Sequence, residues 1–503
     1  MDFLQLLDGA EVLAQSGNAA VTGLEYDSRR VKPGNVFVAM KGESSDGNQF
    51  IDKAIANGAI GVVSDSAKES TRENVAWAQV VHGRRALARL SANFYKRPAE
   101  RMAVSGITGT NGKSTTAFLL ESILRADSRK TVLVGTIEYH VAGRVLPAPH
   151  TTPESLDLNR LLNEGLGKGV SEAIMEVSSH ALAQERVFGI PFDVAIFTNL
   201  TRDHLDYHGT MEEYFESKSI LFRGCGTAAP RVAILNTDDE RGRELVHFSR
   251  KCGSEVITYG LDAGDFHAKD PDLGLRGTRF QMVTPRGEVS IFSPLIGQVN
   301  IYNILASAAA AEARGCSHDA IARGVSSLTR VPGRFERVDC GQPFTVVVDY
   351  AHTDDALRNL TSLAREFVGK AGLKAKVITV FGCGGDRDRA KRPLMGEAAG
   401  RGSDFVVLTS DNPRSEDPLA IMNDALVGLQ RSGTKYSMEP DRKVAIKIAI
   451  EHAGPGDIVL IAGKGHEKVQ VSREGTLPFD DIQVAREALD AAGYECASGA
   501  ASA

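Results

Sequence analysis

The stretch RMAVSGITGTNGKSTTAFLLESILRA, residues 101–126, passes from an apolar run through a glycine-rich turn into a helical pattern. Its centre, Gly109-Thr110-Asn111-Gly112-Lys113-Ser114-Thr115, ends in the Gly-Lys-Ser order of a phosphate-binding loop, in the strand–turn–helix context such a loop requires. Glycines let the main chain wrap so that its N–H groups face phosphate oxygens. Lys113 supplies a point charge, the Ser114 hydroxyl suits Mg²⁺, and the helix N-terminus adds partial positive charge. The usual spacing places a glycine at 107, where this chain has Ile107 between Gly106 and Gly109. The loop reads as an ATP site and leaves the reaction open.

Working outward, further apolar runs at 131–135, 173–177, 194–198 and 231–235 alternate with helical patterns. Such alternation predicts a mostly parallel sheet with helices on both faces. After VPGRFE, residues 331–336, a second alternation begins with FTVVVDY, KVITVFG, DFVVLTS and DIVLIAG. Each of these runs ends in a polar turn: DYAHTDDA, GCGGDRDR, SDNPRSED and GKGHEKVQ. Ligands of open α/β sheets bind beyond the carboxyl ends of strands, so four such turns predict one edge of a cleft. Upstream, VFVAM and AIGVVSD precede a helical pattern that stops at Pro98. The expected architecture is α/β in three domains. They are a small N-terminal α/β domain (1–98), a central phosphate-loop domain with a mostly parallel sheet (99–333) and a C-terminal Rossmann-like domain (334–503). The tail ASGAASA, 497–503, is expected to fray.

A chain of 503 residues suits about three domains. Its net charge of −6 argues against a nucleic-acid coat or a membrane-surface protein. No apolar run approaches the ~20 residues of a spanning helix, and the first residues carry no basic, then apolar, leader pattern. Six scattered cysteines without a CxxC predict a reducing compartment, no disulfide frame and no zinc ribbon. The expected location is the cytoplasm and the expected state a monomer.

Glu176 ends one apolar run and His204 follows the next, so an oxygen and a nitrogen donor stand at strand ends beside Ser114. Mg²⁺ needs only one or two protein carboxylates. Taken singly, Glu176 also reads as an ordinary strand-end acid and His204 as a turn histidine. The His204/His208 pair lacks the glutamate of an HExxH zinc motif.

TGTNGKS, EVSSH, NLTRDHLDYH, the asparagine of GQVNIYNILAS, VPGRFE and VVVDYAHTDDAL, in that order, together resemble the Mur ligases, cytoplasmic ATP-dependent amide-forming enzymes of peptidoglycan synthesis. DSRRVKPGNVFVAMKGESSDG near the start and GCGGDRDR, DNPR and GKGHE near the end resemble the group acting on UDP-MurNAc-L-Ala-D-Glu. The resemblance implies that Gly109 to Thr115 bind ATP phosphates, with Asn303, Arg334 and His352 around the nucleotide and Asp349 on the same strand end. Ser114, Glu176, His204 and Lys218 would serve Mg²⁺, with Lys218 carried as a carbamate; read by itself, Lys218 is a surface lysine on an amphipathic helix. Ser28, with Asp27 beside it, and Glu43, Ser44 and Ser45 would contact the UDP end of the sugar nucleotide. Thr151, Thr152, Ser178, Gln184 and Arg186 would hold its muramoyl-dipeptide; His150 stands before the threonines where related enzymes often have asparagine.

The same resemblance makes meso-diaminopimelate the expected second substrate, against L-lysine as the alternative. Diaminopimelate carries a distal carboxylate, which an arginine fork matches bidentately. DNPR, residues Asp411, Asn412, Pro413 and Arg414, would supply that fork with Arg387, Gly463 and Glu467 in the pocket. By itself Arg414 also reads as a turn arginine paired with Glu416 or Asp417. Two further alternatives are a folylpolyglutamate synthase, disfavoured by DNPR and the DSR-containing first section, and a regulatory protein that uses ATP as a switch.

Overall fold

The computed structural model describes residues 1–42, 45–67, 74–274, 276–370 and 374–496; Glu43, Ser44 and the 497–503 tail therefore lie outside the described residues. The first sheet contains β1 (Val12–Ser16), β2 (Gly23–Glu25), β3 (Asn35–Ala39), β4 (Gly61–Ser64) and β5 (Ala76–Val80) in the order β1-β5-β4-β3-β2. Only β1 runs antiparallel to its neighbour. Pro98 closes the preceding helix, Gly83–Phe94, and opens a 3₁₀ turn at Pro98–Arg101.

The second sheet is built from β6 (Ala103–Thr108), β7 (Thr131–Val134), β8 (Glu138–Val141), β9 (Arg144–Pro147), β10 (Glu172–Glu176), β11 (Phe192–Phe197), β12 (Val232–Asn236) and β13 (Glu255–Tyr259). Their order, β13-β12-β11-β6-β10-β7-β8-β9, is parallel from β13 to β7, and β8 and β9 append an antiparallel edge. Every residue of β7, β10 and β12 is buried, as expected of parallel strands covered on both faces. β6 lies between β10 and β11, so the strand order reverses at the strand that carries the phosphate loop. The helix Lys113–Ala126 packs beside the helices Gln298–Ala313 and His318–Ser327. A Cβ on Gly324 would stand 2.3 Å from the Ile123 Cα, so the contact with 318–327 requires glycine. A three-stranded antiparallel sheet, β14 (His267–Gly274), β15 (Gly277–Thr284) and β16 (Gly287–Ser293), lies between these elements in sequence.

The C-terminal sheet comprises β17 (Glu336–Val338), β18 (Thr345–Asp349), β19 (Val377–Phe381), β20 (Phe405–Leu408), β21 (Lys435–Met438) and β22 (Ile458–Ala462). Its order is β17-β18-β22-β19-β20-β21, parallel except at β17. A hairpin of β23 (Val469–Ser472) and β24 (Gly475–Pro478) follows. Three α/β domains with mostly parallel sheets result, matching the expected fold class.

The cysteines depart from expectation at one place: Cys340 and Cys496 form a disulfide, while Cys225, Cys252, Cys316 and Cys383 are free. Their separation of 156 residues hides the pairing in the sequence. It arises because the β17–β18 turn lies beside the segment following the last helix, Asp481–Ala491, where Phe344 and Tyr494 also meet edge to face. Among the described residues no helix is long and apolar enough to cross a membrane.

One buried ionic cluster ties the antiparallel edge to the phosphate-loop helix. His140 on β8 lies 2.6 Å from the Glu121 carboxylate and 2.9 Å from that of Glu138, and Thr131 donates to Glu121 at 2.8 Å. Burial by itself depresses the imidazole pKa, but the two carboxylates outweigh it and push it up to about 9. A pKa raised on folding gives stability that is complete below the unfolded value near 6.5 and is lost as pH rises through about 9. We therefore expect the thermal midpoint of the wild-type protein to fall between pH 7 and 10. His140→Gln is expected to lower it at pH 7 and to flatten that slope, as read by calorimetry across the pH range.

Candidate active site

The loop between β6 and its helix is tight because its glycines are irreplaceable in place. Gly109 has φ +144° and a Cβ there would lie 1.9 Å from Thr198 Oγ1. Gly112 has φ +88° and its Cβ would meet Asn303 Oδ1 at 2.5 Å. The loop is bolted to the turn after β11: Thr110 N donates to Asn199 O at 2.8 Å, Asn111 N to Asn199 Oδ1 at 2.9 Å, and Thr198 Oγ1 to Asn111 O at 2.6 Å. Asn303 reaches it from the helix Gln298–Ala313, accepting from Thr116 Oγ1 at 3.3 Å. Thr115 is buried on the first turn of the loop's helix.

Two lysines converge on one carbonyl. Lys113 Nζ donates to Gly109 O at 3.0 Å and Thr110 O at 2.8 Å, and Lys218 Nζ donates to Gly109 O at 2.9 Å. Lys218 is buried, with its ammonium over the Tyr214 ring, so the surface-lysine reading of it does not hold. Burial, with Lys113 as a nearby cation, drives the Lys218 pKa well down against the pull of Asp203. Burial also lowers that of Lys113, which Glu176 partly offsets.

Glu176, at the end of β10, is buried and held by Thr136, whose N donates at 2.8 Å and whose hydroxyl lies 2.9 Å from its other oxygen. His204 sits in left-handed backbone, φ 54°, beside Asp203, and withdrawal from solvent lowers its pKa, so the imidazole is neutral at pH 7. Ser114 Oγ accepts from Arg334 Nη2 at 3.4 Å. Arg334 stacks over Tyr350, 4.7 Å from the ring centroid. It is placed by a linker in which Gly333 O accepts from Tyr350 N and Asp349 accepts from Phe335 N at 2.7 Å. His352 packs against Tyr350 on the same strand end, and burial with the Lys391 charge pushes its pKa down to about 4.

A second group gathers where the first two domains meet. Thr152 Oγ1 donates to Glu176 O at 2.8 Å and accepts from Ser178 N at 3.1 Å. Arg186 donates to Thr152 O at 3.0 Å and to Gln184 Oε1 at 2.7 Å. Thr151 Oγ1 lies 3.1 Å from Thr136 Oγ1. Arg84, from the helix Gly83–Phe94, pairs with Glu154 at 3.3 Å and donates to Gln184 O, joining the first domain to this group. In the first sheet's turns Ser28 is buried, Asp27 pairs with Arg29 at 2.7 Å and Ser45 O accepts from Gly42 N.

The third group lies at the carboxyl ends of β19, β20 and β22. Asn412 donates to Glu467 at 2.7 Å and accepts from Lys464 Nζ at 3.0 Å. Asp411 leaves Gly463 no room for a Cβ, which would stand 2.6 Å from its Oδ2. Burial, reinforced by Asp411, raises the Glu467 pKa, and Lys464 and Asn412 oppose that rise. Arg414 follows buried Pro413 in left-handed backbone, φ 51°, and donates from Nη1 to Gly385 O at 2.7 Å. The acids proposed to pair with it are engaged elsewhere: Glu416 binds Arg392 at 2.7 Å and Asp417 caps the next helix through Leu419 N. Among the described residues the Arg414 guanidinium donates to main-chain carbonyls alone. Arg387 is exposed on the neighbouring turn.

Sequence reasoning missed Asp203, Lys391, Lys464 and Arg84. Asp203 and Lys464 lie inside quoted motifs, NLTRDHLDYH and GKGHE, where their burial has no local signal. Arg84 and Lys391 begin helices and read as solvated charges.

The fold and site define a phosphate-loop α/β enzyme whose cleft is formed by strand ends of facing sheets. Residues 20–95 match the Mur ligase family catalytic domain, 107–311 the Mur ligase middle domain and 333–465 the Mur ligase glutamate ligase domain. A UDP-N-acetylmuramoyl-L-alanyl-D-glutamate–2,6-diaminopimelate ligase of Solibacter usitatus is 55% identical over 476 residues, 94% of each chain. The same-named protein of Geobacillus thermodenitrificans is 45% identical over 94% of this chain and 96% of its own. A solved structure of a ligase of that name superposes with a TM-score of 0.65 at 34% identity, covering 94% of this chain and 95% of the other. The chain belongs to the Mur ligase family.

Gly109→Ala places a methyl group against Thr198 and demands a strained φ, so we expect at least about tenfold weaker ATP binding together with a lower thermal midpoint. Calorimetric titration beside a melting curve checks both.

Proposed function

We propose that the chain is an ATP-dependent ligase that joins meso-diaminopimelate to the D-glutamate of UDP-MurNAc-L-Ala-D-Glu, in the cytoplasm and as a monomer, without nucleic-acid or membrane partners. Its relatives' names support the reaction. The observation that carries the choice of amino acid is Arg414, an arginine fork in a polar pocket whose neighbouring acids are committed to other partners.

A free carboxylate is a poor electrophile, so the D-glutamyl γ-carboxylate first attacks the ATP γ-phosphorus, giving an acyl phosphate and ADP. The diaminopimelate amine then adds to the acyl carbon and phosphate leaves. Catalysis of phosphoryl transfer is chiefly positioning and electrostatics. Gly109 to Thr115 would wrap the phosphates, Lys113 would exchange its loop carbonyls for γ-phosphate oxygens, and Asn303, Arg334 and His352 would surround the nucleotide. Thr151, Thr152, Ser178, Gln184 and Arg186 would fix the dipeptide beside Glu176, and Ser28, Glu43, Ser44 and Ser45 the uridine end. Arg387, Asp411, Asn412, Pro413, Arg414, Gly463 and Glu467 would receive diaminopimelate, with Glu467 facing the distal ammonium.

The donor set fits Mg²⁺: the hydroxyl of Ser114, the carboxylate of Glu176 and the neutral imidazole of His204 are oxygen- and nitrogen-type ligands for a hard cation that keeps several waters. Bound there, the ion would neutralise phosphoryl oxygens. Lys218, a buried amine with a depressed pKa, is a nucleophile of the kind that adds CO₂, and as a carbamate it would support that site as an anion.

Incubation with ATP, Mg²⁺, UDP-MurNAc-L-Ala-D-Glu and meso-diaminopimelate should release phosphate. L-lysine should be used at least about a thousandfold less well, since a site built around a carboxylate rejects an analogue lacking one. Equal turnover with lysine would assign the lysine-adding reaction, and release independent of both co-substrates would favour an ATP-driven switch. Arg414→Ala should raise the KM for diaminopimelate by about 30-fold or more and leave ATP affinity unchanged.

A further inference from the structure

The turn after β11 carries an Arg–Asp pair, and the segment entering the helix Lys391–Gly402 of the C-terminal domain carries the opposite charges in matching positions. Arg202 Nη2 lies 3.5 Å from Asp388 Oδ2, and Asp203 Oδ1 lies 3.4 Å from Lys391 Nζ. Asp203, Asp388 and Lys391 have side chains 7%, 9% and 10% exposed while Arg202, 39% exposed, reaches in from the rim, so the Asp203–Lys391 pair is buried and the Arg202–Asp388 pair lies at its edge. Arg202 Nε and Asp388 Oδ2 are buried without a hydrogen-bond partner among the described residues, which leaves this contact as the compensation for their burial. Asp203 also touches the histidines on both sides of the cleft, His204 at 3.3 Å and His352 at 3.9 Å, and its Oδ1 accepts from His204 N at 3.0 Å.

We infer that the crossed pairs Arg202–Asp388 and Asp203–Lys391 are a latch that docks the C-terminal domain on the phosphate loop, and that Asp203 is a positioning residue for His204. Each pair joins opposite charges across the contact, so reversing one member of either sets like charges against each other. The docked arrangement also places Arg334 on Ser114 and the Asn111 amide on Asp355, at 3.4 Å and 3.0 Å. The latch rests on the ligase reading in one respect, that amide formation needs the amino-acid pocket and the phosphate loop facing each other.

The test uses charge reversal in the full chain. Arg202→Asp and Asp388→Arg should each lower kcat/KM for phosphate release about 30-fold or more, and the double variant should recover to within about threefold of wild type. Lys391→Met, which removes charge with less steric change, should lower kcat without altering the thermal midpoint, because each domain keeps its own core. Small-angle scattering with a non-hydrolysable ATP analogue should show compaction of the wild-type and double variants and none for the single reversals. Full activity in the single variants, or a double variant no better than either, would overturn the latch. Scattering needs no turnover, so it still judges the latch if the wild-type chain releases no phosphate, a result that would overturn the ligase reading instead.

Discussion

The carbonyl of Gly109 accepts from two lysines, buried Lys218 and half-buried Lys113, and the Cα behind it is pressed against Thr198 with no space for a side chain. Two cations on one oxygen are costly unless something anionic shares them or one is neutral. Lys218 answers by losing affinity for its proton, and Lys113 keeps a place that a phosphate oxygen fills better than a peptide oxygen. The loop's tightness, the close approach of Asn303 and the bolting of residues 110–111 to Asn199 all follow from holding that carbonyl still.

Around this point the three domains contribute by one rule. Candidate site residues stand at carboxyl ends of parallel strands, and the central and C-terminal domains meet there through Arg334–Ser114 and Asn111–Asp355. The antiparallel additions, β8 and β9, β14 to β16 and the β23–β24 hairpin, cover edges or brace turns: the hairpin's Val471 N donates to Asn412 Oδ1, and its backbone oxygen accepts from Arg414 N.

The parallel strands were legible because burial on both faces leaves an unbroken apolar run, and the predicted 131–135, 173–177 and 194–198 fall within one or two residues of β7, β10 and β11. The antiparallel β14–β16 sheet was not read, since many residues of β14 and β16 face solvent and its runs are diluted by charge. At the site, motifs with backbone requirements announced themselves: glycines at 109 and 112 and the turn at 411–414. Lys218 did not, because a lysine among Glu213, Glu216 and Ser217 reads as surface until the packing of Tyr214 and Gly109 closes over it. The Cys340–Cys496 bond was beyond reach for the same reason, as adjacency in space left no trace in spacing.

Arg414 occupies left-handed backbone that glycine or asparagine adopts at lower energy. Replacing it by glycine would relieve on the order of 1 kcal/mol of strain at that turn, set against the lost hydrogen bond to Gly385 O and a freer unfolded chain. In the ligase proposed above, the turn would carry this strain for the sake of the second carboxylate, and glycine there would keep the backbone path while giving up the fork.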